Sequence, residues 1–347
     1  MSLETDAPLV GVCGANASGK TSLLEAVYLL LYGASFRTRQ GGQLISFEAE
    51  DAIVRATIGS DSGGLHHVAT QRQRRADSIY RLDGEGVRPV DLVRRYPVQI
   101  IDSSVFDLIE GGPSCRRRFV DWGMFHVEQE FFSVWKKHRR LLRQWGALLR
   151  KRASASEFAP WIDDFCGASD QLSVMRRDHV AGLAAKLREA VGGAVSLEYA
   201  QGWPEDMDYK SYLNRSLAVV SPDLRLKAGP HLFDVRVRTA EGYLAKDVLS
   251  RGQKKLLGLR LKLAQIRLYN AQVAEANRCI VLVDDLAAEV DDDNQAAAIK
   301  ELVGAGSQVF VTGIDPAQLE KLVTLSGAKD RKMFHVKQGE IEPLIEI

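Results

Sequence analysis

Residues Gly14, Ala15, Asn16, Ala17, Ser18, Gly19, Lys20 and Thr21 read G-x-x-x-x-G-K-T. They stand between a short apolar run, Pro8 to Cys13, and a leucine-rich helical run, Ser22 to Leu31. A glycine-rich turn can match such a pattern by chance, but one that leaves a buried strand and opens a helix has few uses. The glycines let backbone N–H groups turn inward, and the helix start adds the positive end of its dipole, so the loop suits a phosphate chain. Lys20 is placed to reach the terminal phosphates and Thr21 to hold a divalent cation, with Ser22 grouped beside them. A chain built around this loop is expected to be an α/β protein with parallel strands.

At 347 residues and 46% apolar content the chain can bury a substantial core, as two compact units or as one domain with an insertion. Net charge is only +1, so indiscriminate polycationic binding is not expected of the whole chain. The four cysteines are scattered with no C-x-x-C pair, which suggests neither a disulfide framework nor a zinc site and predicts mostly buried thiols. No apolar run approaches the roughly 20 residues of a membrane helix. The start, Met-Ser-Leu-Glu-Thr-Asp, lacks the basic and apolar regions of a secretion signal. The expectation is a cytoplasmic protein without a membrane partner.

Patterning divides the chain into three stretches. The runs Ala52–Ile58, Leu65–Thr70 and Ser78–Leu82, separated by glycine-containing turns, predict a small antiparallel sheet. After Gly111-Gly-Pro113 the spacing becomes helical for about a hundred residues, with Trp135, Leu141, Leu142, Trp145, Leu148 and Leu149 as core positions. From Ser221-Pro222 onward, apolar runs alternate with helical ones: Cys279–Asp284, Ser307–Thr312 and Met333–Lys337 read as parallel strands buried on both faces. The simplest assembly brings both chain ends into one α/β sheet, residues 1–112 and 222–347, with 113–221 as an inserted helical lobe.

Three further segments carry chemistry. Ile280-Val-Leu-Val283 ends in Asp284-Asp285; alone this fits a helix N-cap and its neighbour. With a phosphate loop in the same chain, Asp284 suits a Mg²⁺ shell and Asp285 an attacking water. Leu249-Ser-Arg-Gly-Gln253 opens a helical run, and Ser250 with the N–H groups near Gly252 again suits a phosphate. Between Cys115 and Arg152, eleven Lys or Arg face three acids. Any one of these cations is most simply a solvated side chain. As a block they mark a nucleic-acid surface, with Arg139, Arg140 and Arg143 as the residues to test.

In the order phosphate loop, Leu-Ser-Arg-Gly-Gln, acidic strand, these motifs resemble the ABC-type ATPases. More closely the chain resembles the bacterial RecF recombination and repair ATPases, relatives of the SMC and Rad50 proteins. The likeness rests on Gly14–Thr21 with Leu24-Glu25-Ala26, Ser35-Phe-Arg37, Asp107–Pro113 with Arg116–Trp122, and Gly229-Pro-His231. It continues through Leu249–Leu256, Asp284-Asp285 with Ala288-Glu-Val-Asp291, and Val309–Thr312.

The resemblance implies an α/β, ABC-type (SMC/Rad50-like) ATPase head with an inserted helical lobe, using ATP and Mg²⁺. It also implies an ATP-dependent homodimer, in which Ser250, Gly252 and Gln253 of one copy complete the other's site. Double-stranded DNA at gap junctions and the mediators RecR and RecO are the implied partners, in loading a recombinase. Carried onto this chain, Lys20 and Thr21 serve phosphate and metal, Asp284 the metal shell, Asp285 the water, and Gln99 the sensing of γ-phosphate. Asp291 lies in the segment that couples the two sites. Three departures bear on turnover. Lys20 comes too early for the family's extra leading strand, so part of the adenine pocket and one sheet edge are expected to differ. Leu232 follows Gly-Pro-His where an arginine is usual, and no histidine follows Thr312. A nucleotide-binding scaffold of DNA repair that no longer turns over is the alternative these departures leave; the subunit of a membrane transporter does not explain the Arg116-Arg117 block.

Overall fold

The computed structural model describes residues 1–38, 44–59, 64–218, 226–274, 278–285 and 290–344. The chain divides into two compact units, 1–105 with 265–347, and 106–264. The first begins with β1 (Leu9–Cys13), α1 (Lys20–Tyr32), β2 (Asp51–Gly59), β3 (Leu65–Gln73), β4 (Ile79–Leu82), β5 (Glu85–Gly86), α2 (Pro89–Arg95) and β6 (Val98–Ile101). The second carries α3 (Pro113–Val127), α4 (Phe131–Arg150), α5 (Ala155–Val191), β7 (Val195–Ala200), α6 (Tyr209–Ala218), β8 (Asp234–Thr239), α7 (Ala245–Val248) and most of α8 (Arg251–Asn270). The first unit resumes with β9 (Ile280–Val283), α9 (Asp292–Gly304), β10 (Gln308–Gly313), α10 (Pro316–Leu325), β11 (Arg331–Lys337) and β12 (Glu340–Pro343).

In the first unit the strand order is β12-β11-β1-β10-β9-β6, all neighbours parallel except the closing β11–β12 hairpin. The strand that begins the chain is thus flanked on both sides by strands from its last forty residues or so, Leu9 pairing with Val309 and Arg331. Every residue of β1 is buried, as an apolar strand covered on both faces must be. On one face Leu23, Leu24, Leu30 and Leu31 of α1 pack with Val10, Val12, Leu282, Phe310, Phe334 and Val336. Each such side chain contributes roughly 1.5–3 kcal/mol when fully buried. The antiparallel sheet β2-β3-β4-β5 extends the same core through Val54, Ala56, Val68 and Leu82. The buried Thr70 hydroxyl donates to the Leu30 carbonyl of α1 at 2.6 Å, tying that sheet to the helix that opens from the phosphate loop.

The second unit is mainly helical. On α4, Phe131, Val134, His138, Leu141 and Trp145 recur at helical spacing and are buried, while Lys136, Lys137, Arg139, Arg140 and Arg143 fall on the exposed side. Its core joins Leu141 and Trp145 to Phe158, Phe165, Tyr209 and Leu213. Residues 113–221 belong to this unit, which also takes in Phe106–Gly112 and 222–264. Leu249–Gln253 therefore groups with the helices rather than with the phosphate loop. The boundary expected at Ser221-Pro222 lies outside the described residues. Among the described residues no helix is long and apolar enough to cross a membrane. Cys13, Cys166 and Cys279 are buried and Cys115 half-buried.

Candidate nucleotide and DNA site

The phosphate loop bends through three left-handed residues, Gly14 (φ 154°), Ala17 (φ 60°) and Gly19 (φ 114°). At Gly14 a Cβ would lie 2.4 Å from the Val336 carbonyl oxygen, so only glycine admits the neighbouring strand this closely. Ala15, Asn16 and Ala17 are exposed at the tip, and Ser18 N–H donates to the Ala15 carbonyl at 3.2 Å. The Lys20 ammonium donates to the Gly14 carbonyl at 2.7 Å and to that of Ala15 at 2.9 Å, which holds it over the loop where phosphate oxygens would compete for it. Gly19 is the N-cap of α1, and Ser22 is exposed on the first turn.

Across the sheet, Asp284 follows the last residue of β9 and takes the Thr21 hydroxyl at 3.1 and 3.2 Å on its two oxygens. Residues 263 positions apart are thereby joined at one point. A third group enters that sequence reading missed. Thr312, 3% exposed at the end of β10, donates its hydroxyl to Asp284 Oδ1 at 2.9 Å and accepts the Asp285 N–H at 3.0 Å. The signal was a hydroxyl closing the otherwise apolar run Val309-Phe-Val. Asp285 is exposed and left-handed (φ 52°), a conformation that Asp tolerates better than most residues and that turns it out of the strand direction.

Gln99 is not brought to this cluster. It lies within β6 opposite Val281, three residues before Asp284 and so about 10 Å along the strand. It is 3% exposed, and its amide donates to buried Gln265 of α8 at 2.8 Å. A glutamine inside a strand buried on both faces must find its partner in the core. At the level of Asp284 the strand presents Ile101, whose carbonyl accepts the Asp284 N–H at 2.9 Å, followed by Asp102. Asp291 is the N-cap of α9, accepting from the Asn294 backbone at 3.0 Å and from its side-chain amide at 2.8 Å. These bonds hold its carboxyl below the usual range. Ala288 and Glu289 lie outside the described residues.

In the second unit, Leu249-Ser-Arg-Gly-Gln253 is a capping box for α8. Ser250 N–H donates to Gln253 Oε1 at 2.9 Å, and Gln253 N–H reaches back to the Ser250 hydroxyl at 3.4 Å. Gly252 is exposed with open space beside its Cα. Lys254, on the next position, pairs with Glu110.

The Arg116-Arg117 block is internal scaffolding rather than a surface for DNA. Arg116 makes a two-point ion pair with Asp234 at 2.8 and 3.0 Å and donates to the Gly111 carbonyl at 2.6 Å; Arg117 donates to the Phe233 carbonyl at 2.9 Å. Of the basic stretch, Arg118, Lys151 and Arg152 stay at the surface, as does the outer face of α4. Ser133, Trp135, Lys136, Lys137, Arg139, Arg140 and Arg143 line a groove of about 610 Å³ there. The Arg139 guanidinium lies 4.7 Å from the Trp135 ring centre, and Lys137 pairs with Asp164 at 2.7 Å, holding that carboxyl below its usual range.

Residues 1–337 match the RecF/RecN/SMC N-terminal domain. The chain is 35% identical over 334 residues to the DNA replication and repair protein RecF of Edwardsiella ictaluri, covering 94% of this chain and 91% of that one. It is likewise 35% identical over 336 residues to the RecF of Photorhabdus laumondii, covering 95% and 91%. Among solved structures, the recombination mediator protein RecF with ATP, of the RecFOR pathway, superposes with a TM-score of 0.84 at 21% identity over 99% of this chain and 94% of that one. An Smc head domain from Pyrococcus furiosus, bound to the C-terminal domain of ScpA, gives 0.55 at 16% identity over 97% and 89%. The fold is that of the RecF and SMC ATPase heads.

Proposed function

Because this chain belongs to the RecF/RecN/SMC family, we propose that it is an ATP-dependent DNA-binding protein of recombinational repair. ATP would draw two copies together on duplex DNA beside single-strand gaps, and slow hydrolysis would release them. RecR and RecO are the proposed protein partners, in loading a recombinase. The observation that carries the reading is the junction of Thr21 and Asp284, a hydroxyl and a carboxylate brought together at the mouth of a phosphate loop. Both are hard oxygen donors, the set that suits Mg²⁺ when nucleotide phosphates and water supply the other ligands. Bound there, Mg²⁺ would neutralise charge on the terminal phosphates.

The chain's own residues do the rest. Lys20 exchanges two loop carbonyls for phosphate oxygens, at little cost in solvation because its ammonium is already hydrogen-bonded. Thr312 fixes the Asp284 carboxylate and the Asp285 backbone together, so that Asp285 holds the attacking water in a set direction. Catalysis of this kind needs positioning and electrostatics, not a covalent intermediate. Ser250 and Gln253 act in trans: a phosphate arriving from the second copy takes over the Ser250 hydroxyl and the N–H groups of the α8 start. Arg139, Arg140 and Arg143 contact DNA phosphates without reading bases.

The test is ATP turnover by purified protein with and without gapped duplex. The wild type hydrolyses slowly and duplex DNA accelerates it, whereas Lys20→Met binds ATP weakly and does not turn over. Equal DNA and partner binding by wild type and Lys20→Met, with neither hydrolysing ATP, would replace this reading by that of a scaffold.

A further inference from the structure

The turn that joins β11 to β12, at Gln338-Gly339, places a residue against its backbone preference. Both residues have positive φ, 51° and 85°, as a two-residue type I′ hairpin turn requires. Glycine or asparagine commonly occupies the first position, whereas an exposed glutamine there carries the cost of a left-handed backbone. Backbone cost of this kind, where it persists, points to a local use for the side chain.

What lies beside the turn is the phosphate loop. Gly339 N–H donates to the Ser18 carbonyl at 3.0 Å, and the Val336 carbonyl lies against Gly14. The hairpin is thus hydrogen-bonded to the loop at Gly339 and packed closely against it at Val336, with Gln338 one residue from the hydrogen bond. Sheet order then decides which end of a nucleotide meets it. The pair Thr21–Asp284, where terminal phosphates and metal belong, lies on the side of β1 toward β10 and β9. β11 is the neighbour of β1 on the opposite side. A nucleotide with its γ-phosphate at Asp284 therefore directs its nucleoside away from β9, toward the β11–β12 turn.

We propose that Gln338 is a nucleotide-binding residue whose side-chain amide hydrogen-bonds the nucleoside half of ATP, the turn forming the wall of the pocket on that side. The inference rests on the ATP-binding reading above. It is tested by titrating the full chain with Mg-ATP and, separately, with Mg-tripolyphosphate, which has the phosphates but no nucleoside. Gln338→Gly removes the amide and relaxes the backbone, so it melts no lower than wild type. It should bind Mg-ATP about five- to tenfold more weakly, the loss of one hydrogen bond, with Mg-tripolyphosphate binding unchanged. Gln338→Asn, which tolerates the left-handed turn and keeps a shorter amide, should fall between. Equal Mg-ATP affinity in wild type and Gln338→Gly overturns the proposal, as does equal weakening of both ligands, which would mean that the turn only props the loop. If wild type itself fails to bind Mg-ATP, the reading of the loop falls and the proposal with it. If wild type binds and Lys20→Met does not, the reading stands whatever Gln338 does.

Discussion

Thr312 shows how much can hang on one buried hydroxyl. It bonds at once to the carboxylate proposed for metal and to the backbone of the residue proposed to hold water. Thr312→Val keeps the shape and leaves those groups short of a partner, which costs about 1–3 kcal/mol. We expect a lowered melting temperature and a turnover loss well beyond any change in ATP affinity, with Thr312→Ser restoring both. A turnover unchanged from wild type would remove Thr312 from the site. A second residue-scale effect is acid lability. Burial holds His138, stacked on Phe165, down to about 3, and His179 down to about 4. In the unfolded chain each titrates near 6.5. Both are neutral in either state above that value, so they then bear no pH-dependent cost. As pH falls below 6.5 the unfolded chain takes up protons that the folded chain refuses, and stability drops by up to about 1.4 kcal/mol per pH unit for each histidine. Denaturation between pH 7.5 and 4.5 should show this slope, and His138→Phe should flatten it; an unchanged slope would mean that His138 is not the group responsible.

Among the elements, α4 is built under repulsion. Its sequence contains no acidic residue, and Lys136 with Arg140, and Arg139 with Arg143, stand four apart on its exposed face. Like charges so spaced cost a few tenths of a kcal/mol per pair. A polyanion laid on that face relieves the cost. Reversing Arg139, Arg140 and Arg143 to Glu should leave α4 folded, since all three are exposed. Duplex binding should weaken, and its salt dependence should flatten by about 0.9 in log–log slope for each DNA phosphate no longer neutralised. Unchanged affinity and slope, measured by anisotropy from about 50 to 200 mM salt, would move the DNA surface elsewhere. Elements were also where sequence reading was strongest. The strands 280–283, 308–313 and 331–337, the helix after Lys20 and the small antiparallel sheet were legible because each is set by local periodicity. What was not legible depended on partners far along the chain. Gln99 looked like a sensor until its strand was buried against α8; Arg116 and Arg117 counted in the basic block until Asp234 and the Phe233 carbonyl closed on them. Thr312 gained its role only from Asp284 on the neighbouring strand.

For the whole molecule, the proposed cycle depends on two copies meeting. The phosphate loop and the Ser250–Gln253 cap belong to different units of one chain, and in the proposed cycle a second copy brings its cap to the loop. Sedimentation should therefore show monomers without nucleotide and dimers with ATP. Asp285→Asn, which suits the same left-handed backbone, should hold the dimer closed because bound ATP persists. Monomers at every ATP concentration in that variant would reject the cycle.

The placement of β1 between β10 and β11 also has a consequence during synthesis. The phosphate-loop strand emerges roughly 300 residues before both strands that must flank it, Leu9 pairing with Val309 and Arg331. At ordinary elongation rates that is a delay of roughly 20–60 s, during which an apolar segment has no sheet to enter. The helical unit, contiguous from 106 to 264, can form in that interval. A product that stops short of β10 and β11 therefore leaves β1 and the loop it carries without the strands that flank them.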